Sequence, residues 1–297
     1  MGLKKKIAAF FLEQPRPAAI IQMSPSFFSF LRTKPEGSSS EKFFKRERIP
    51  AGLIEAHLLQ PNLKDPKALE KLIDEALAEF RPQGNSVTLL IPEMSSRVFI
   101  FNLEGSLMSP SEITRFVEWR LDRQLSQPLD QIRYSYQTFN SGQEKRIMVL
   151  CSGSQVVKEY EGFLKRKKLQ PGKLTIPSLS VFSLVSSYGL GADDVLVVDV
   201  DLDYLSLIVV LDSSPYLYRQ KHLWPGEAEN LETVLREVEN TVSFLEEKFK
   251  KKQVLIYLRS GLDNSNRLKL EIQNRLRQEV REIMTENPGF APLIGGQ

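Results

Sequence analysis

Cysteine is almost absent from this chain: Cys151 is the single one in 297 residues. One thiol excludes an intramolecular disulfide and fits a reducing compartment. The two histidines, His57 and His222, stand far apart and without a partner at metal-ligand spacing, so no zinc motif is present. No apolar run approaches the roughly 20 residues that span a bilayer. An excess of one charge is missing as well: 40 Lys and Arg against 37 Asp and Glu leave +3, too little to mark a nucleic-acid binder. Ser152-Gly153-Ser154 does not make a G-x-S-x-G nucleophile elbow.

What is present is an ordinary globular composition, 41% hydrophobic and 26% charged, long enough for one large core or two smaller ones. The chain is organised around residues 194–226. Two apolar runs, 195–200 and 205–211, flank Asp199, Asp201 and Asp203 at alternate positions, and Asp212 to Pro215 then turn the chain into 216–221. Short apolar runs bounded by turn residues read as buried strands. A strand, a sharp reversal and a second strand are where a nucleotide-binding fold puts a phosphate loop. Here the loop is acidic and has no glycine. The three carboxylates either gather a divalent cation, as hard cations accept oxygen ligands, or solvate the turn at a strand end. The second reading is preferred, and no metal is expected.

Upstream, residues 18–32 read as two short strands around Ser24 and Pro25, 34–40 as an exposed turn, and 41–49 as a further strand. Asp65 and Pro66 open a helix with Leu69, Leu72, Ile73, Ala76, Leu77 and Phe80 on one face, and Pro82 and Gly84 stop it. Residues 86–91 read as a buried strand. Between 97 and 168 come a strand, a helix opened by a Ser109-Pro110-Glu112 capping box, two strands and another helix, which suggests a small α+β unit. A brief strand at Leu174 and Thr175 precedes an apolar helix, 177–188. In the last third the spacing predicts a long helix through Leu231 to Phe249, a strand at 253–258 and a charged helix over 267–284 with Leu268, Ile272, Leu276, Val280 and Ile283 inward. Residues 287–297 read as a loose tail. No internal repeat of fixed short period is found. Cys151 reads as a small buried residue. Lys165 to Lys168 reads as a solvated helix end. Trp119 lies off the apolar face of its helix and is a candidate partner contact, and Trp224 is expected at least half-exposed. The basic start, Lys4 to Lys6 before a short apolar stretch, is too short for a span and reads as a flexible end or a weak lipid contact.

Several strings in this order resemble the PilM family of type IV pilus assembly proteins, relatives of the cell-division protein FtsA with the actin-like fold. They are the stretch from Ile49 into the first long helix, Ile91-Pro92, the capped helix carrying Glu118, Gln127-Pro128-Leu129, Leu169-Gln170-Pro171, and the helix before Phe249. The likeness is carried by the ordered series and covers most of the chain. It implies an α/β, actin-like, two-lobe fold with an inserted small α+β subdomain and a reduced second lobe. Its divisions are 1–96 for the first part of the first lobe, 97–168 for the insert, 169–192 for the return and 193–297 for the second lobe.

Actin-like ATPases carry Asp-x-Gly at the start of each lobe, with backbone amides that cradle phosphate. Against that pattern Gln22 and Ser24 replace the acid and the glycine in the first lobe, and Pro25 lacks an amide. In the second lobe Asp199 keeps the acid, Asp201 stands where glycine is wanted and Leu205 where a hydroxyl is usual. The late glycine motif becomes Ser260-Gly261-Leu262, and the stretch from Gly226 to Val254 is too short for the family's extra helical subdomain. A carboxylate facing phosphate costs about 1 kcal/mol per charge pair in water and about 4 at a dielectric of 20. The resemblance therefore implies a pseudo-ATPase with no cofactor and no catalytic residues. Gln22, Ser24, Asp199, Asp201, Leu205, Gly261 and Leu262 are its degenerate site positions. The expected role is a non-catalytic cytoplasmic scaffold of a type IV pilus, or related type II secretion, inner-membrane platform. It would bind the cytosolic N-terminal segment of a bitopic PilN-like protein in a groove between first lobe and insert. Other platform or motor proteins are further candidate partners, and contact with the membrane itself is at most peripheral. The alternatives are a nucleotide-binding FtsA- or actin-like ATPase or filament protein, and a metal-dependent hydrolase built on the three aspartates.

Overall fold

The computed structural model describes residues 17, 19–32, 43–80, 84–103, 109–141, 144–187, 194–228, 230–251, 253–283, 285 and 287–296. The expectations placed on residues 4–12, 34–40, Pro82 and Tyr188 lie outside them. Among the described residues the strands form three sheets. The first contains β1 (Ala19–Met23), β2 (Phe27–Arg32), β3 (Phe43–Arg48), β4 (Ser86–Leu90) and β8 (Gln170–Thr175), in the order β3-β2-β1-β4-β8. The insert contributes β5 (Arg97–Leu103), β6 (Ile132–Ser141) and β7 (Glu144–Gly153), in the order β5-β7-β6. The last sheet contains β9 (Val195–Val200), β10 (Tyr204–Leu211), β11 (Ser214–His222), β12 (Leu255–Ser260) and β13 (Val280–Glu282), in the order β11-β10-β9-β12-β13.

The two five-stranded sheets share one plan. Each is an antiparallel three-strand meander whose first strand then pairs in parallel with a fourth, and the fourth with a fifth. The chain carries a topological repeat that its sequence does not display. The register aligns the two copies: Gln22 pairs with Ser29 as Asp199 pairs with Ser206. The turns match too, with Ser24 N–H donating to Phe27 O (2.9 Å) and Asp201 N–H donating to Tyr204 O (3.0 Å).

The helices are α1 (Pro66–Phe80), α2 (Pro110–Gln124), α3 (Ser154–Arg166), α4 (Pro177–Ser187), α5 (Leu231–Phe249), α6 (Ser265–Leu276) and α7 (Ala291–Gly295). Asp65 Oδ1 accepts the Ala68 amide at the start of α1, and Ser109 with Glu112 forms the full capping box of α2. Strand β9 shows why its sequence is apolar without alternation. Val195 and Val197 join the core around α4, while Leu196, Val198 and Val200 join a second core under α5 and α6. Both faces are covered, so neither admits polar side chains until Asp199. The β10–β11 reversal is a two-residue turn on Asp212 and Ser213, both at positive φ, as hairpins require even without glycine.

Two expectations fail. The helix predicted over 267–284 ends at Leu276, because Arg277 takes a left-handed conformation (φ 54°) and Val280–Glu282 becomes β13, parallel to β12. Leu268, Ile272, Leu276 and Val280 keep helical spacing across this break. Periodicity could not see it; the free edge of β12 decided it by offering backbone hydrogen bonds. The tail is not loose either. Residues 288–290 form a short 3₁₀ turn, and α7 lies against α4, where Leu293 is fully buried with Ile20, Leu31 and Leu90 of the first sheet. Phe290 stacks on Phe44 at 4.7 Å between ring centres. A Cβ on Gly295 would lie 1.8 Å from Ser180 O, so only glycine allows this close approach.

Candidate functional site

The two equivalent hairpins are linked through Arg46, which meets Phe27 of the first and Asp201 of the second. In the first, Gln22 is buried at the end of β1, with no hydrogen-bond partner for its Oε1 among the described residues. Ser24 Oγ accepts the amides of Ser26 (3.3 Å) and Phe27 (2.9 Å). In the second, Asp201 Oδ1 accepts the Leu202 amide at 3.0 Å. Amides that a phosphate loop would aim at an anion are thus taken by side-chain oxygens of the loops themselves.

The aspartates do not solvate a turn, as the sequence suggested. Asp199, Asp201 and Asp203 are all buried, and two arginines meet the first two. Arg259, fully buried on β12 beside Asp199 in register, reaches Asp199 Oδ1 at 3.0 Å and Asp201 Oδ2 at 2.8 Å. It also donates to Pro288 O (2.9 Å) and to Tyr204 Oη (3.2 Å), while Tyr204 donates to Asp199 Oδ2 (2.9 Å). Arg46, from β3, donates to Asp201 Oδ1 at 2.7 Å and to Gly289 O at 3.3 Å. Its guanidinium lies 3.7 Å over the Phe27 ring, so it ties the first hairpin to the second.

Charge follows geometry. Burial pushes the Asp201 carboxyl up, but the Arg259 and Arg46 guanidiniums outweigh it and hold it at about 2. Burial pushes Asp199 up, with Arg259 acting against it. Asp203 faces no cation at hydrogen-bond distance among the described residues; burial, helped by the Asp201 charge, raises it to about 7. Arg259 stays a cation because the Asp201 carboxylate, first among its neighbours, overcomes its burial. Among the described residues no three His, Cys, Asp or Glu side chains are grouped as a metal site requires.

The late motif closes the cluster. Gly261 N–H donates to Val200 O at 2.9 Å, and a Cβ at Gly261 would fall 2.7 Å from Asp201 Oδ2. Its glycine thus serves the Asp201 carboxylate. Leu262 is buried in the second core. Leu205 joins that core too and does not meet the cluster. Sequence reasoning missed Arg46 and Arg259. Arg259 had a signal: it is the lone charge in the run from Leu255 to Ser260, on a strand parallel to the one carrying Asp199.

A second buried group sits where the lobes meet. Glu93, before β5, accepts from Ser178 N–H (3.1 Å) and Ser178 Oγ (2.5 Å), and from Tyr218 Oη of β11. Burial raises it to about 7. Gln220 Nε2 donates to Ser96 O (2.9 Å), and Arg146 Nη1 of the insert donates to Leu211 O (3.4 Å). Elsewhere the predicted bystanders are structural. Cys151 is buried in β7, and burial lifts its thiol to about 11. Lys167, placed on a solvated helix end, instead pairs with Asp74 at 2.8 Å. Trp119 and Trp224 are exposed. No described helix is long and apolar enough to cross a membrane.

No family model matches the chain, and no curated protein does. Solved structures do. A PilM–PilN type IV pilus biogenesis complex aligns with a TM-score of 0.77 at 16% identity, over 95% of this chain and 98% of that one. A Bacteroides thetaiotaomicron protein of actin-like ATPase fold and unknown function gives 0.57 at 12% identity, over 93% and 94%. The cytoplasmic domain of EpsL, an inner-membrane component of the Vibrio cholerae type II secretion system, gives 0.56 at 9% identity, over 94% and 93%. The chain has the actin-like fold.

Proposed function

We propose that this protein is a non-catalytic scaffold of a pilus or secretion platform, in which the chain itself occupies the place of a nucleotide phosphate. The observation that carries this is Asp201. Its carboxylate sits at the turn of the second hairpin, takes that turn's amide and is clamped by Arg46 and Arg259. Two arginines around one anion, Arg259 buried and Arg46 half-buried, are what a phosphate site supplies to its ligand. A nucleotide would have to displace a buried carboxylate and leave it uncompensated. The likeness in fold to a PilM–PilN complex and to the EpsL cytoplasmic domain supports a platform role. On this reading the partner is PilN-like and presents a short cytosolic N-terminal segment to a groove between first lobe and insert. The protein then sits in the cytoplasm, held beneath the inner membrane through its partners, and its state is independent of nucleotide.

The test is calorimetry. Millimolar Mg-ATP should give no heat of binding, and a synthetic peptide from the N-terminus of a PilN-like protein should then bind saturably in the same cell. A Mg-ATP isotherm, or a rise of several degrees in the melting midpoint with Mg-ATP, would overturn the nucleotide-free reading. No peptide binding would remove the PilN-like partner while leaving the occluded site in place.

A further inference from the structure

Elsewhere, a groove of about 650 Å³ runs between β5 and α2 of the insert on one side and β11 and α5 of the second lobe on the other. Phe116, Trp119, Tyr216 and Phe244 form its aromatic walls, and Arg120 and Lys248 carry its charge. Among the described residues no carboxylate lines it. Helix α2 buries Val117 and Leu121 in the insert core and turns Trp119 outward, where 47% of the residue stays exposed. Such a large apolar surface left in a concave site marks a place where another chain binds.

Among the described residues the charge in the groove is uncompensated. Arg120 lies over the Phe101 ring at 4.7 Å, and its buried Nε has no partner among the described residues. Arg123 lies over the Trp119 ring at 4.5 Å. Lys248 donates to Tyr216 Oη at 2.7 Å. None of the three forms an ion pair with a described carboxylate. The backbone is open as well. Among the described residues β5 pairs only with β7, and β11 only with β10, so both are edge strands, and Ile100 and Asn102 of β5 and Tyr216 and Leu217 of β11 line the groove. An edge strand beside a side-chain pocket is what an added strand uses.

These features select one occupant. A second copy docked through the same face would bring like cations together across a two-fold axis. The chain's own N-terminal Lys4 to Lys6 has the wrong sign. We propose that the groove takes an extended acidic segment of a partner protein. Its backbone adds to the edge of β5 as a fourth strand. Alternate apolar side chains enter between Trp119 and Phe244, and the acids between them meet Arg120, Arg123 and Lys248.

The full chain should be panned against two displayed decapeptide libraries. One alternates Asp or Glu with Ile, Val, Phe or Tyr; the control carries Lys or Arg in place of the acids. Only the acidic library should enrich. The best acidic peptide, titrated onto a Trp224→Phe protein so that Trp119 is the sole indole reporter, should shift its emission. Trp119→Ala, read by calorimetry, and the pair Arg120→Glu with Lys248→Glu should each weaken binding at least about tenfold, with unchanged melting midpoints showing that the fold is intact. No enrichment, enrichment from the basic library, or peptides indifferent to both variants would sink the proposal. So would a dimer in sedimentation that Trp119→Ala dissolves, because the groove would then be a self-interface. A segment seated between first lobe and insert would bind the Trp119→Ala protein normally, so this inference and the platform reading fail by different results.

Discussion

Arg259 holds two carboxylates from inside the protein, and its side chain is wholly buried. Removing one member of a buried ion network leaves charge without a partner and costs about 3–5 kcal/mol, whereas replacing the whole set by neutral groups costs far less. Arg259→Met should therefore lower unfolding free energy by about 3–5 kcal/mol in urea denaturation. Adding Asp199→Asn and Asp201→Asn to it should restore a large part of that loss. If the triple variant is as unstable as the single one, packing of the guanidinium and not charge is what matters. Arg46→Met should cost less than Arg259→Met, since Asp201 keeps its Arg259 contact and Asp199 is untouched.

At the scale of elements, the short helix α7 completes the first sheet. Leu293 fills the face made by Ile20, Leu31 and Leu90, and burying one leucine is worth about 1.5–3 kcal/mol. Leu293→Ala should cost about 2–5 kcal/mol, because the cavity adds to the lost transfer energy. It should also raise hydrogen exchange at the amides of 288–296 ahead of the rest of the chain. Unchanged exchange there would mean that Phe290 on Phe44 suffices to hold the segment. The same residues help to build the charge cluster, since Pro288 O and Gly289 O accept from Arg259 and Arg46. The C-terminal segment thus supports both the fold and the filled site.

At the scale of the whole molecule, the lobes are joined by groups that titrate near neutrality. Burial raises Glu93 from 4.5 to about 7 and Asp203 from 3.8 to about 7. A carboxyl with a raised folded pKa binds its proton more tightly in the folded state. Its contribution is fully present below the unfolded pKa and is lost as pH rises through the folded one. Stability should therefore fall from about pH 3.8 for Asp203 and about 4.5 for Glu93 up to about 7 and then level off, each such group giving a slope of up to about 1.4 kcal/mol per pH unit. Asp201, held at about 2, acts oppositely: its contribution is present above 3.8 and lost as pH falls towards 2. Glu93→Gln should flatten the decline measured by melting from pH 5 to 7.5. Equal slopes in variant and wild type would exclude Glu93 as its source.

The local elements and most of the fold class are legible in the residue order. The capping box at Ser109, the Asp65-Pro66 start, the apolar runs of β9 and β10 and the long amphipathic α5 are set by interactions a few residues apart, which spacing and residue type report directly. That order also shows that the glycines of a phosphate loop are missing, because glycine identity is a backbone requirement visible in one dimension. What fills the place depends on contacts between distant residues. Arg46 and Arg259 stand 155 and 58 residues from Asp201, and no local pattern distinguishes a buried guanidinium from a surface one. The ends of α6 and the docking of α7 were likewise settled by partners distant in sequence, a free edge on β12 and an apolar face on the first sheet. The burial of three acids followed from this packing: a carboxylate leaves water only where opposite charge, hydrogen bonds or a retained proton offsets the loss, and those conditions arise when β9, β10 and β12 pair and Arg46 of the first sheet joins them.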